Sequence, residues 1–259
     1  MRSGRLFLLK ELVRRDFQSR YAGSILGFFW SFAMPIWQLL LFTFVFSKIL
    51  GARISVELEH TESFGIFLFC GLLPWMAIHE GITRSTTAVV DNAGVIKKAR
   101  LPLAILVLAP TAGALIHEGI AAAVFMVVLA FLGELGWQGL PLLLVALPLQ
   151  LALTVGLGFL ACAIHTFFRD TAQVLSMLLM GWFYLTPIVY SVHLLPEDVR
   201  HWFEINPLMP LVNLYRQALL GDELVWVPGT GQLIVVAGVI LWLGVGLFGR
   251  LEKIFVDQV

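Results

Sequence analysis

Six runs of apolar residues, at roughly 22–50, 64–88, 103–133, 139–167, 171–192 and 231–250, dominate this 259-residue chain. A helix crosses the ~30 Å hydrocarbon core of a bilayer with ~20 apolar residues, and each run is long enough to do so. The expected fold is therefore an all-α membrane protein of six transmembrane helices in a single transmembrane domain. Composition agrees, with 59% hydrophobic and 13% charged residues and a mean hydropathy of +0.90. Soluble domains usually carry ~25% charged residues, so this chain has too much apolar surface for one globular core. The formal net charge is zero, so no polyanion, and no nucleic acid, is expected as a partner. The third run contains Pro110 and is longer than a crossing needs, so it is expected to tilt or kink.

The placement of charge orients the chain. With the N-terminus inside and six alternating spans, the inner side holds thirteen Lys and Arg residues and the outer side four, together the 17 of the sequence. The positive-inside rule then puts both termini in the cytosol. Residues 1–21 are expected to form an amphipathic interfacial helix, with Leu6, Leu9, Val13 and Phe17 at helical spacing and Lys10 and Arg14 on another face. The alternative is a plain positive flank that fixes orientation. Charge persists to Arg20 and the apolar run beyond is longer than a signal peptide's, so no cleavable signal is expected. The stretch 193–230 is polar and broken by prolines, yet carries Trp202-Phe203, Leu208-Met209 and the run Leu211 to Leu220. One or two short helices re-entering from the outer side are expected, since irregular backbone survives at membrane depth only inside protein or beside water. A plain outer loop is the alternative.

Several activities lack their motifs. No glycine precedes a lysine, so there is no phosphate-binding Walker A loop, and no His-Glu-x-x-His or Gly-x-Ser-x-Gly occurs. Cys70 and Cys162 lie in apolar runs and read as small buried hydrophobes, without metal or disulfide spacing. Gly156 and Gly158 suit close helix packing. Ionisable groups inside spans are costly in lipid and default to functional candidates; here these are His79, Glu80, His117 and Glu118. Glu80 is placed to pair with Arg84 one helical turn on. The loop 91–102, DNAGVIKKARLP, is basic, with Asp91 or Asn92 able to cap a short helix that Pro102 ends. Such a helix is a natural docking element for a cytosolic partner. The aromatics Phe28, Phe29, Trp30, Trp37, Trp182, Phe183 and Tyr184 suit interfacial belts or a path for sugars, whose apolar faces stack on rings.

Five segments in register extend this reading. LVRRDFQSRYAGSILGFFWSFAMPIWQLLLFTFVFS at 12–47, VIKKARLP at 95–102, FFRD at 167–170, FYLTPIVYS at 183–191 and INPLMPLVNLYRQALLGD at 205–222 resemble the permease subunits of ABC-2-type polysaccharide exporters, which serve O-antigen, capsule and teichoic acid export. The resemblance implies six spans, an interfacial N-terminal helix and re-entrant outer helices. It implies a homodimer of this chain with two ATP-binding cassette subunits in the bacterial inner membrane. ATP and Mg would bind those subunits, with no cofactor or metal in this chain. The substrate would be a polysaccharide or lipid-linked glycan leaving the cytosol.

Carried over residue by residue, Asn92, Ile96, Lys97, Lys98 and Arg100 would press on the ATPase. Arg14, Arg15, Asp16, Arg20 and Tyr21 would frame a cytosolic entrance, their guanidinium groups suited to a diphosphate head group. Phe28, Trp30, Trp37, Trp182 and Tyr184 would line the glycan path. Pro207, Pro210, Tyr215 and Arg216 would sit in the outer gate. The short acidic outer loop 48–62 assigns no subfamily. The rivals are an ABC-2 exporter of drugs or small lipids, an ion-coupled carrier using Glu80, His117 and Glu118, and an intramembrane glycan-modifying transferase.

Overall fold

The structure is a computed structural model and describes residues 2–20, 24, 27–45, 61, 63–97, 102–192 and 196–258. Among them there are helices and turns but no strand. The helices, in chain order, are α1 (Arg2–Arg20), α2 (Trp30–Phe42), α3 (Phe64–Asp91), α4 (Ala93–Ile96), α5 (Leu103–Leu132), α6 (Leu143–Phe167), α7 (Thr171–Tyr184), α8 (Glu197–Glu204), α9 (Leu208–Leu220) and α10 (Thr230–Gln258).

Four helices are long and apolar enough to cross a membrane: α3, α5, α6 with the short turn before it, and α10. They correspond to the second, third, fourth and last of the apolar runs. The other two runs form shorter apolar helices. The first is helical over Trp30–Val45, ~24 Å at ~1.5 Å per residue, and residues 46–50 lie outside the described set. The fifth, expected over 171–192, is helical only to Tyr184. Pro187 follows in the sequence, and a proline disfavours helical backbone in the residue before it. Pro110 does not break α5, which runs as one helix to Leu132. It ends where Gly133 adopts φ +76°, a left-handed cap that a side chain would resist.

Helix α3 is the axis of the bundle. In its most apolar stretch 83% of residues are buried, against 17% in α5 and 22% in α10. It packs on α2, α5, α6, α7 and α9. Its middle supplies Phe67, Phe69, Ile78 and Ile82 to a core completed by Phe125 of α5, Leu153 of α6 and Leu211 and Tyr215 of α9. A second cluster, at the end where α3 stops and α5 starts, joins Val89, Ile96, Leu106, Phe159, Cys162, Phe248 and Phe255. There the Phe159 and Phe248 rings lie 4.8 Å apart and the Phe248 and Phe255 rings 5.2 Å apart. Glu252 of α10 closes this end by accepting from the backbone N–H of Leu103 at 3.1 Å, one of the donors that a helix start leaves unpaired.

Within lipid, apolar surface gains little by leaving its solvent, so helices associate where small residues let backbones approach. Gly156 of α6 and Gly244 of α10 do this. A Cβ on Gly156 would stand 2.7 Å from the backbone carbon of Ile240, and one on Gly244 would stand 2.3 Å from the carbonyl oxygen of Gly156. Gly244→Leu is therefore expected to lower the thermal midpoint in detergent by the equivalent of ~1–3 kcal/mol, the cost of overpacking. Gly238→Leu, where an added Cβ meets nothing within 4 Å, should leave it unchanged. Equal midpoints for both variants would show that the crossing is not close.

Candidate functional site

On the side of the molecule where α3 ends and α5 begins, α1 lies along α5. Leu8, Leu9, Leu12, Val13 and Asp16 are half-buried, while Lys10, Glu11, Arg14 and Arg15 are exposed. The half-buried positions repeat at i, i+4, so α1 contacts the bundle through one stripe. Between α1, α3 and α5 lies a cleft of about 340 Å³ lined by Arg15, Asp16, Arg84, Thr87, Asp91 and Asn92 among others. Arg15 donates to Asn92 Oδ1 at 3.3 Å, tying α1 to the residue that follows α3. Asn92 in turn donates to the carbonyl of Ala88 at 2.8 Å.

A string of ionisable groups leads from this cleft toward the interior. The Arg84 guanidinium forks onto Asp16, with Nη1 donating to Oδ2 at 3.0 Å and Nη2 donating to Oδ1. The same Nη1 donates to Glu80 Oε1 at 3.3 Å, and Nδ1 of His117 lies 3.9 Å from Glu80 Oε2. One cation thus serves two carboxylates, in a bidentate geometry that only arginine provides. Beyond it, His79, Glu80, His117 and Glu118 line a cavity of about 350 Å³ with Gln38 and Trp75.

Deeper still, Glu118 of α5, Gln150 of α6 and Tyr215 of α9 meet, each at most 5% exposed. Their polar atoms lie 2.5–2.7 Å apart in three contacts. Tyr215 thus turns inward from α9. Its neighbour Arg216 lies 3.5 Å over the Phe67 ring and donates to the carbonyl of Ile188 at 3.0 Å. The start of α9 is held by Asn206, which accepts from the Trp182 indole at 2.9 Å and from Leu208 N at 3.0 Å. Its amide donates to Leu185 O and Thr186 Oγ1. The end of α7 and the start of α9 are therefore one hydrogen-bonded corner.

Residues 8–220 match the family described as ABC-2 type transporter. The chain belongs to that family. Its relatives include the O-antigen export system permease protein RfbA of Myxococcus xanthus, 26% identical over 254 residues that cover 97% of this chain and 95% of the relative. The RfbA of Klebsiella pneumoniae is 28% identical over 264 residues, 98% and 96% of the two chains. The polysialic acid transport protein KpsM of Escherichia coli is 23% identical over 250 residues, 95% and 93%.

The expected site residues of this ABC-2 chain are distributed as follows. Arg15 and Asp16 line the cleft and Arg14 is exposed beside it; Tyr21 and the Arg20 side chain lie outside the described set. In the loop expected to dock, Lys97 is exposed and Asn92 half-buried, but Ile96 is buried in the second cluster and anchors the turn. Lys98 and Arg100 lie outside the described residues. Trp30, Trp37 and Tyr184 are exposed, whereas Trp182 is half-buried with its ring 6.4 Å from that of Trp75. The Phe28 side chain is not among those described. Pro207 precedes α9 and Pro210 is buried in its first turn.

Sequence reasoning singled out neither Gln150, Asn206 nor Trp75. Gln150 stands alone in an apolar run, so an isolated polar residue in a span was the available signal; Asn206 sits directly before Pro207 in the polar stretch 193–230, where it does not stand out. Arg84 was named only for Glu80. Arg84→Ala removes the guanidinium that Asp16 and Glu80 share. It should destabilise the protein by ~1–3 kcal/mol, between the exposed and buried limits for an ion pair. It should also free α1 for proteolysis. Unchanged melting and protection in detergent would show that the pair does not hold α1.

Proposed function

We propose that this chain is the permease subunit of an ATP-driven exporter that moves a polysaccharide or lipid-linked glycan from the cytosol across the bacterial inner membrane. The observation that carries this reading is the end-to-end match to permeases named for O-antigen and polysialic acid transport. The missing phosphate loop supports ATP binding and hydrolysis, with Mg, on two separate cassette subunits. The chain itself is then a transport subunit, working as a homodimer and carrying no catalytic residue.

In this reading the chain crosses six times, with α2 and α7 as the two shorter crossings. The aromatic face of α2, exposing Trp30 and Trp37 with Phe29 just before them, meets lipid, the second copy or the glycan. Helix α1 lies in the cytosolic interface, both termini are cytosolic, and α8 and α9 dip in from outside. The cleft beside Arg14, Arg15 and Asp16 receives the diphosphate end of a lipid-linked substrate, with Arg20 and Tyr21 completing its rim. Phe28, Trp30, Trp37, Trp182 and Tyr184 offer rings along the path. Pro207, Pro210, Tyr215 and Arg216 belong to the outer gate, Tyr215 through the contacts that hold α9. The turn from Asn92 to Arg100 docks on the ATPase, with Lys97, Lys98 and Arg100 meeting its surface and Ile96 fixing the turn from behind. The link from Asn92 to Arg15 supports coupling of ATPase movement to the entrance. Coupling requires that the two conformations of the permease bind the ATPase differently.

Deletion of the chain in its native host should leave finished glycan inside the cell. Lys97→Glu combined with Lys98→Glu should abolish export while the protein still inserts and melts normally. Normal export by that double variant, with normal stimulation of ATP hydrolysis, would remove the docking role. Normal surface glycan in the deletion strain, with export of a small amphiphile lost, would remove the glycan.

A further inference from the structure

The contacts among Glu118, Gln150 and Tyr215 permit a proton count. Nε2 of Gln150 lies 2.6 Å from Oε2 of Glu118. The Tyr215 hydroxyl lies 2.7 Å from Oε1 of Glu118 and 2.5 Å from Oε1 of Gln150. Three links need three hydrogens. The Gln150 amide supplies one, to Glu118, and the tyrosine hydroxyl supplies one. A carboxylate supplies none, so an ionised Glu118 leaves two oxygens in contact with no hydrogen between them. Turning the Gln150 amide over does not help. Its NH₂ would then donate to the tyrosine and the tyrosine to Glu118, but the amide oxygen would face Glu118 Oε2. In either orientation the third hydrogen belongs on Glu118.

We propose that Glu118 is an uncharged carboxylic acid, and that its proton is the third link of a closed ring latching α9 to α5 and α6, so that loss of the proton opens the ring and loosens α9. With the acid neutral, its hydroxyl donates to Tyr215, Tyr215 donates to Gln150, and Gln150 donates back to Glu118. Every member is satisfied, as a buried polar network must be to stabilise rather than weaken a core. The site lies fifteen residues from Leu103 and fourteen from Leu132, the middle of α5, where a charge is most costly. Other elements bring further groups. Helix α3 presents His79 and Glu80, with Glu80 held by Arg84. Helix α5 adds His117, α2 the uncharged Gln38, α6 only Gln150, and α9 Arg216, directed to Phe67 and Ile188. The proton leaves to the cavity that Glu118 shares with His79, Glu80 and His117. The inference holds whatever the chain transports, because it rests on the ring alone.

The test uses the purified full-length chain in lipid nanodiscs. Infrared spectra at neutral pH should contain a protonated-carboxyl C=O band that Glu118→Gln removes. Amide hydrogen exchange of α9, corrected for intrinsic chemistry, should gain about tenfold in rate as pH rises, the equivalent of one lost buried hydrogen bond. In Glu118→Gln the amide NH₂ replaces the acid hydroxyl, so the ring stays closed and α9 stays protected at all pH values. Tyr215→Phe removes two links, so α9 should exchange fast with no pH dependence. Absence of a carboxyl band assignable to Glu118 would overturn the proposal. So would a wild-type pH profile of α9 in either variant.

Discussion

Inside hydrocarbon a polar group finds no water, so every backbone N–H and carbonyl, and every polar side chain, must be satisfied by the protein itself. The long helices answer this for the backbone. For side chains, Ser85 donates to the carbonyl of Val107, while Thr86, Thr154 and Thr166 each bond back one turn along their own helix. The larger polar groups cannot be satisfied so locally. Arg84 reaches Asp16 on α1, and Glu118 reaches Gln150 and Tyr215 on α6 and α9. These are the contacts that pin the two ends of the molecule to the central bundle. The same constraint that makes the helices therefore decides where α1 and α9 sit.

This gives the ABC-2 chain a consistent build. Helix α3 runs through the middle and touches nearly every other helix. Toward its C-terminal end it holds Glu80 and Arg84, with Asn92 just beyond; near its other end Phe67 lies under Arg216 of α9 and Phe69 against Phe125 of α5. Arg15 and Asn92 tie α1 to the turn after α3, and α3 connects that end to the corner where α7 meets α9. In an interior packed like a crystal, small shifts move whole elements rather than dissipating.

Hydropathy was enough to find the four long helices, because length and apolarity are properties of a contiguous stretch. It overestimated the fifth run, whose helix stops at Tyr184 although the apolar sequence continues to Pro187 and beyond; backbone geometry, not hydrophobicity, ends it. The Glu80–Arg84 pair was legible from its i, i+4 spacing. Asp16–Arg84 and the ring of Glu118, Gln150 and Tyr215 were not, since their members lie 32 to 97 positions apart in the chain and pairing at that distance leaves no periodic trace. The inward turn of Ile96 was equally hidden, because it lies between the exposed Gly94 and Lys97; Tyr215 lies in an apolar helix, but its partners sit on α5 and α6. Family resemblance placed the motifs in order along the chain. It did not say which side chains face one another.

The central claim is ATP-driven movement of a glycan through a dimer of this chain. The most direct measurement reconstitutes the chain with its ATP-binding partner in sealed proteoliposomes and follows a lipid-linked glycan across the bilayer. Transfer is expected to require ATP, both subunits and an intact docking turn, and to persist when the proton gradient is collapsed. Transfer driven by a proton gradient without ATP, or ATP turnover that moves no glycan, would contradict it.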